Sequence, residues 1–107
     1  MSKIYLACPY THKDPNVVDM RFEVVTKKAG RLLLEGHIVY SPITHCHPIA
    51  MAVKLPTDFN FWKKLNFEFI DWSEEVRVLC IDGWRTSVGV AAEIEYANSQ
   101  GKPVILI

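Results

Sequence analysis

Apolar positions recur along this chain with two different periods, and the changes of period divide it into seven predicted elements. Short apolar runs bounded by glycine, proline or polar residues predict four strands, at Lys3 to Ala7, Ile38 to Tyr40, Val76 to Ile81 and Val104 to Ile107. Longer segments with apolar residues three or four apart predict three helices: Asn16 to Glu35, Asp58 as a cap to about Ser73, and Val88 to Gln100. Strands and helices therefore alternate along the whole sequence.

This alternation predicts an α/β fold, in which a parallel sheet carries helices on both of its faces. The length of 107 residues predicts a single domain that spans residues 1–107. Ligands of such sheets bind beyond the carboxyl ends of the strands, at the point where the strand order reverses. That rule brings three segments into one crevice: Tyr5 to Tyr10, Ser41 to His47 and Gly83 to Glu93.

The composition argues against several classes of partner. Half of the residues are hydrophobic, and 12 basic residues balance 12 acidic ones, so no overall charge attracts the chain to nucleic acid or to an acidic membrane. No basic stripe interleaves with aromatic residues, and no apolar run approaches the ~20 residues of a membrane span. The three cysteines lack metal-ligand spacing and nothing resembles a secretory signal. We therefore expect a reduced, cytoplasmic protein without a metal or a cofactor.

The stretch from Asp82 to Tyr96 is the first candidate for chemistry. Ser87 suits the N-cap of the last helix, and Gly89 lets a ligand approach the free N–H groups of the first turn, where an anion is the natural guest. At about 100° per residue, Glu93 falls at the border of the core stripe on the side of Gly89, so we expect it to be partly desolvated. Such a carboxylate is a candidate nucleophile, base or ligand-orienting group. An ordinary surface glutamate explains the same spacing.

Two polar residues and one histidine-containing segment are further candidates. Arg21, early in the first helix, could pair with a phosphate or carboxylate beside the first strand, or could form an ordinary structural contact. Asn66 falls within the apolar face of the aromatic-rich helix, so it is either a hydrogen-bonded core residue or points into a cavity. His45 and His47 are two residues apart, without further ligands at the usual spacing. We therefore interpret the loop up to Thr57 as a lid or a dimer contact rather than a metal site.

A series of short motifs spans nearly the whole sequence. They are the opening Ile-Tyr-Leu-Ala-Cys-Pro-Tyr, the Arg21 helix ending in Glu-Gly-His, Ser41-Pro42, Trp62 with the helix that follows it, Gly83-Trp84-x-x-Ser87-x-Gly89-x-x-x-Glu93, Ala97, and Gly101-Lys102-Pro103. In this order the motifs resemble those of the nucleoside 2-deoxyribosyltransferase-like superfamily, in particular its small bacterial and phage members.

The resemblance implies a flavodoxin-like three-layer fold with a small parallel sheet of four to five strands. It also implies cleavage or exchange of the N-glycosidic bond of a nucleoside or 5′-nucleotide, with Glu93 as the nucleophile and Tyr5 as the tyrosine that orients it. Ser87 and Gly89 match the phosphate-binding turn of nucleotide-cleaving relatives. The other substrate-binding residues expected from the crevice and the matching motifs are Cys8, Pro9, Tyr10, Arg21, Ser41, His45, Gly83 and Trp84. Since such relatives form dimers or higher oligomers, we expect a homo-oligomer with the helix from Phe59 to Trp72 as its contact.

The sequence departs from the family pattern at Asn66, where relatives tend to carry an aspartate. An amide hydrogen-bonds a base but cannot protonate it at neutral pH. Three hypotheses therefore stay open. The first is an N-glycosidase or deoxyribosyltransferase with Asn66 at the catalytic site, the second is a non-catalytic module that binds nucleotides or nucleotide sugars, and the third is an oligomerising structural domain with an unused crevice.

Overall fold

The computed structural model describes all 107 residues. Four strands and four helices follow one another as β1 (Lys3–Ala7), α1 (Pro15–Leu34), β2 (Ile38–Tyr40), α2 (Pro42–Val53), α3 (Phe59–Trp72), β3 (Glu75–Val78), α4 (Val88–Ser99) and β4 (Val104–Leu106). All four predicted strands and all three predicted helices are present. The additional helix, α2, was not predicted.

The four strands form one parallel sheet in the order β2-β1-β3-β4. The chain leaves β1 towards β2 through α1, and it leaves β3 towards β4 through α4, so the strand order reverses between the two central strands. The carboxyl ends of these strands, Ala7 and Val78, are partners in the register. This is the switch point at which ligands of open parallel sheets bind. The predicted α/β architecture is confirmed.

Side chains of β1 alternate between two core layers, because successive residues of a strand point to opposite faces. One layer combines β1 with α1 and the start of α2, and contains Ile4, Leu6, Cys8, Val25, Ala29, Leu32 and Ile43. The other combines β1 and β3 with α3 and α4, and contains Tyr5, Ala7, Ile70, Val76, Val78, Val90 and Ala97. Helices therefore cover both faces of the sheet, and Tyr5 points to the face that α4 covers.

Helix α2 corrects the interpretation of residues 41–57 as a loop. Ser41 caps this helix with a hydroxyl oxygen that accepts from the Thr44 N–H at 3.2 Å, and Pro42 lies in the first turn, where its missing N–H costs little. Buried side chains then follow at helical spacing, at Ile43, Cys46, His47 and Ala50. Pro48 removes one internal hydrogen bond. Burial of the apolar face outweighs this loss, so a proline-containing segment folds as a helix.

The end of one strand and the capping of one helix also differ from prediction. Strand β3 ends at Val78, three residues earlier than predicted, although the Leu79 N–H still donates to the Ala7 carbonyl at 2.8 Å. Asp58 stands at the N-cap position of α3, as predicted, but its side chain makes no capping hydrogen bond. Its carboxylate is therefore not used by the helix.

We expect Ser41→Ala to destabilise the protein by about 1 kcal/mol, the usual cost of losing an N-cap acceptor. Asp58→Ala is the matched control, because its carboxylate accepts no capping hydrogen bond, and its effect should stay within about 0.5 kcal/mol. Urea unfolding of both variants and the wild type measures the two changes. Equal losses of unfolding free energy in the two variants would contradict the role of Ser41 in starting α2.

Candidate active site

A cavity of about 410 Å³ opens beyond the carboxyl ends of β1 and β3. Its volume lies in the range of small-molecule binding sites. Four segments line it: the chain after β1, the start of α2, the connection into α3 with the first turns of that helix, and the start of α4. The cavity therefore lies at the switch point of the sheet, where the sequence placed the crevice.

Glu93 lies in the wall of this cavity, yet it is only 4% exposed. Helix α4 carries it one turn after Gly89, beside the buried stripe of Val90 and Ala97. The Tyr5 hydroxyl donates a hydrogen bond to Oε2 of Glu93. Since Tyr5 belongs to the central strand and is fully buried, the sheet and the helix together fix the position of this carboxyl group.

Burial raises the pKa of Glu93 to about 8, because an ionised carboxylate loses its hydration there, while the hydrogen bond from Tyr5 acts in the opposite direction. Burial, followed by the charge of Glu93, raises the pKa of Tyr5 well above its ordinary value. The Tyr5 hydroxyl therefore keeps its proton and remains a donor. A strongly desolvated carboxyl group with a specific partner in a cleft is typical of a functional site.

Asn66 points into the same cavity, which decides between the two alternatives left by the sequence. Asn66 is 6% exposed and lines the cavity, and its Oδ1 atom accepts no hydrogen bond. A buried acceptor without a donor costs about 1–3 kcal/mol. A ligand with an N–H or O–H group would remove that cost.

The first turn of α4 forms another wall of the cavity. The Ser87 hydroxyl oxygen caps the helix by accepting from the Val90 N–H at 3.2 Å, as predicted. Phe59 packs against Gly89 so closely that an added Cβ would lie 3.1 Å from the aromatic ring. No lysine, arginine or histidine lines the cavity. Backbone N–H groups and the helix dipole are therefore what favours an anion here.

Arg21 lies outside the cavity and makes structural contacts. Its Nη1 atom donates to the Thr11 carbonyl at 3.1 Å, and its Nη2 atom donates to the Asp82 carbonyl at 3.2 Å. Gly83 leaves room for this guanidinium, since a Cβ added there would lie 2.5 Å from Nη2, and its φ of +92° also favours glycine. Arg21 and Gly83 therefore hold the loops after β1 and β3 together, and neither lines the cavity.

Two of the other residues expected to bind substrate, Cys8 and Tyr10, line the cavity. The other four lie elsewhere: Pro9 and Ser41 are buried in the packing, His45 is exposed on α2, and Trp84 packs against the core layer of α4. Tyr5 contacts the site through the hydrogen bond that its hydroxyl donates to Glu93. The crevice rule thus found the right segments but not which side chains within them face the cavity.

The sequence placed residues 41–47 in the crevice but did not predict that they form a helix. Helix α2 contributes Pro42, Ile43 and Cys46 to the lining, and the spacing of its apolar residues after a Ser-Pro cap was the available signal. A further wall, at residues 57–62, was not part of the predicted crevice. Trp62 is held there by a hydrogen bond from Nε1 to the Pro56 carbonyl at 2.8 Å. Part of the segment interpreted as a lid is therefore a packed helical wall.

Three further observations concern metals, thiols and membranes. The structure has no group of three or more histidine, cysteine, aspartate or glutamate side chains that could hold a metal ion. All three cysteines are free. None of the helices combines the length and the apolar character that crossing a membrane requires.

The homo-oligomer stays a prediction, and on α3 the side chains of Phe61 and Trp72 are partly exposed.

The model of a family described as a domain of unknown function, DUF1937, matches residues 2–107. No curated protein matches the chain. Among solved structures, the chain is similar to the 2-deoxyribosyltransferase of the psychrotolerant bacterium Bacillus psychrosaccharolyticus, a biocatalyst for the synthesis of antiviral and antitumoral nucleosides. The TM-score is 0.65 and the identity 28%, over 97% of this chain and 70% of the other. This likeness confirms the flavodoxin-like three-layer fold.

We expect Glu93→Gln to be more stable than the wild type, and we expect the difference in melting temperature to grow as the pH rises from about 5 to 8. The folded protein keeps the Glu93 proton up to a pKa of about 8, whereas the unfolded chain loses it near the ordinary value of 4.5. Stability of the wild type is therefore lost as the pH rises through this window. The loss is at most a few kcal/mol, because one unit of pKa corresponds to about 1.4 kcal/mol. Melting temperatures at several pH values measure the effect.

Glu95→Gln is the matched control for this measurement, because Glu95 is exposed on the same helix. Its melting temperature should differ from that of the wild type by a small amount that does not change over the same pH window. A pH-independent difference between Glu93→Gln and the wild type would contradict the burial of a protonated carboxyl group.

Proposed function

The chain belongs to the DUF1937 family, and from that premise we propose that it cleaves or exchanges the N-glycosidic bond of a nucleoside, with Glu93 as the nucleophile. One observation carries this proposal: a buried carboxyl group lies in the wall of a ligand-sized cavity with a tyrosine hydroxyl fixed on one of its oxygens. The similarity to a 2-deoxyribosyltransferase supports nucleoside glycosyl transfer as the general class of reaction.

Glu93 suits a reaction in which positive charge develops on a sugar. As the bond between C1′ and the base breaks, C1′ becomes oxocarbenium-like, and a carboxylate beside it stabilises the charge and then forms a bond, as in retaining glycosidases. Tyr5 holds one oxygen of Glu93 by its hydrogen bond. The other oxygen is left to face C1′. Water resolves the resulting glycosyl ester in hydrolysis, and a second base resolves it in transfer.

Asn66 and the neighbouring aromatic residues suit the base of the nucleoside. A nucleobase N–H group would supply the donor that Oδ1 of Asn66 lacks. Phe59 and Trp62 line the same cavity, and stacking of a base on an aromatic side chain is worth about 1–3 kcal/mol. We therefore place the base towards α3, with the sugar between the base and Glu93.

The charges around the cavity favour a nucleoside over its 5′-monophosphate. A phosphate group would find no cationic side chain in the lining, since Arg21 is engaged by two carbonyl groups elsewhere. Asp58, at the exposed edge of the lining, would repel it. The first turn of α4, from Ser87, offers only backbone N–H groups. A neutral nucleoside has no phosphate charge that would need a cationic partner or be repelled by Asp58.

We expect incubation with ribo- and 2′-deoxyribonucleosides to release free base, and 5′-monophosphates to react less efficiently because the lining lacks a cation. A loss of about 1.4 kcal/mol in transition-state binding would lower kcat/KM about tenfold. Chromatography of a panel of nucleosides and their monophosphates measures both rates. A clear preference for monophosphates would contradict the charge argument while leaving the reaction class intact.

The same panel tests Glu93 through two variants of one helix. Glu93→Gln keeps the shape of the side chain and its acceptor for Tyr5 but removes the nucleophile, so kcat should fall at least about 10³-fold. Glu95→Gln, two residues away and exposed, should retain full activity. A fully active Glu93→Gln variant would remove Glu93 from the mechanism.

A second function, a non-catalytic nucleoside-binding module, is favoured by one observation. Position 66 of the cavity holds an amide, which accepts hydrogen bonds but gives no proton to a leaving base. Such a module would show a nucleoside-dependent rise in melting temperature without release of base after long incubation.

Two variants at position 66 separate the functions. If Asn66 accepts a hydrogen bond from the base, Asn66→Ala should weaken nucleoside binding about 2- to 12-fold, the equivalent of one neutral hydrogen bond. Calorimetric titration measures this change in either hypothesis, and unchanged affinity would remove Asn66 from base recognition. Turnover that arises only in Asn66→Asp would assign the binding function to the wild type.

A further inference from the structure

The proposed reaction needs a proton donor that Asn66 cannot provide. Departure of an ordinary base from C1′ leaves negative charge on a ring nitrogen, and protonation of that nitrogen is a common source of catalysis. Two carboxyl groups line the cavity. Glu93 is the nucleophile of the proposed function, and Asp58 lies at the exposed edge of the lining. Tyr10 is the other side chain of the lining that carries an ionisable O–H group.

Tyr10 is joined to a buried histidine. Its hydroxyl oxygen lies 2.6 Å from Nδ1 of His47, and the two rings meet edge-on, with centroids 5.6 Å apart and an interplanar angle of 82°. On the other side of the imidazole, Nε2 lies 3.5 Å from Oδ1 of Asp19. The side chain of His47 is 9% exposed and that of Asp19 is 66% exposed. A continuous series of polar contacts therefore runs from solvent to the cavity.

Three separate segments of the chain hold this imidazole. Asp19 and Phe22 lie one turn apart on α1 and so face the same way. The Phe22 ring covers the imidazole, with centroids 4.5 Å apart and a tilt of 34°. His47 itself belongs to the buried face of α2, and Tyr10 belongs to the loop after β1. Packing alone does not require this arrangement, since an apolar side chain at position 47 would be buried at lower cost.

We propose that Tyr10 is the catalytic acid that protonates the departing base, and that His47, oriented by Asp19 and Phe22, is a positioning residue that returns a proton to Tyr10. This inference rests on the proposed function, because it assigns the acid of that reaction. With the imidazolium in place, both ring nitrogens carry protons: Nδ1 donates to the Tyr10 oxygen, and Nε2 faces the Asp19 carboxylate at 3.5 Å. The Tyr10 proton is then directed away from His47 and is available to the base.

Protons and electron pairs balance in this scheme. The reactive form is the one in which Glu93 has already released its proton, and its pKa of about 8 makes this form more abundant as the pH rises. The bond between C1′ and the base breaks with its electron pair on the base nitrogen, and a carboxylate oxygen of Glu93 bonds to C1′. The Tyr10 hydroxyl gives its proton to the base, while its oxygen takes the Nδ1 proton of His47. A neutral base, a neutral imidazole and a glycosyl ester result. When water or a second base attacks C1′, the proton that it loses returns through Tyr10 to His47, and Glu93 is released as a carboxylate.

Burial raises the pKa of Tyr10 to about 12, with smaller contributions from Cys46 and Asp19. The hydroxyl therefore stays protonated at neutral pH and is ready to donate at the start of each cycle. The same burial makes a persistent tyrosinate costly, so uptake of the His47 proton accompanies the loss of the tyrosine proton. The relay thus needs both residues.

Leaving groups that need no proton distinguish an acid from a structural residue. The base of 7-methylguanosine is already positively charged, so it departs neutral, whereas the base of guanosine needs a proton. Uridine and 5-fluorouridine form a second pair, because fluorine stabilises the departing anion. The 2′-deoxy counterparts of both pairs complete the set. The quantity to measure is the ratio of kcat/KM for the activated nucleoside to kcat/KM for the ordinary one.

We expect Tyr10→Phe to lower kcat/KM for the ordinary nucleosides about 100-fold or more, the usual contribution of a general acid. The activated nucleosides should lose much less, so the ratio should rise about tenfold or more. His47→Asn should shift the ratio in the same direction, because its amide can donate a hydrogen bond to Tyr10 but not a proton. Tyr96→Phe is the matched control, since the Tyr96 hydroxyl donates to Asp71 at 2.8 Å outside the cavity.

The outcomes separate this inference from the proposed function. A wild type that cleaves both members of a pair, with equal losses in Tyr10→Phe, would make Tyr10 structural and overturn the relay alone. A selective rise of the ratio in Asp58→Asn instead of Tyr10→Phe would assign the acid to Asp58 and overturn it as well. A wild type that releases base from none of the nucleosides would refute the proposed function and this inference together.

Discussion

The hydrogen bond between Tyr5 and the buried carboxyl group of Glu93 is the contact on which the rest of the site depends. It requires β1 to be a central strand, because only there is the Tyr5 ring removed from water on all sides. It also requires α4 to begin soon after β3, so that the second turn of the helix brings Glu93 over the tyrosine. The parallel sheet, its strand order and the Ser87 cap together position Glu93 beside the Tyr5 hydroxyl.

A carboxyl group in such surroundings is costly to ionise, and in the proposed reaction this cost would favour the transition state. Burial raises the pKa of Glu93, and positive charge that develops on a sugar nearby would stabilise the ionised form most strongly at the transition state. A permanent cation in the lining would stabilise the carboxylate in the resting protein instead. The lining contains no such cation, which agrees with a neutral ligand whose charge arises only during the reaction.

Sequence periodicity was sufficient for the architecture and for part of the site. The alternating pattern of β1 separates Tyr5 from Ile4, and the helical pattern of α4 separates Glu93 from Glu95, so the faces of both key residues could be predicted. Helix α2 was not predicted, because its histidines drew attention to a metal site or a lid rather than to its apolar face. Burial of that face outweighs the internal hydrogen bond that Pro48 removes.

The contacts of Arg21 and His47 could not be predicted from the sequence, because their partners belong to other segments of the chain. Arg21 was considered either as a partner of an anion or as a structural residue, and its guanidinium donates to the carbonyl groups of Thr11 and Asp82 in two different loops. His47 was considered as a metal ligand, yet its neighbours are a tyrosine 37 residues away and an aspartate on α1. No local pattern contains these partners. They follow from how the helices pack on the sheet.

The central claim is that Glu93 forms a covalent bond to the sugar. Mass spectrometry of the protein after incubation with 2′-deoxy-2′-fluoronucleosides tests it most directly, because the fluorine slows breakdown of the glycosyl ester. We expect a mass increase of one fluorinated sugar on the peptide that contains Glu93, and no such increase in Glu93→Gln. Release of base with Glu93 left unmodified, or an adduct on another residue, would contradict it.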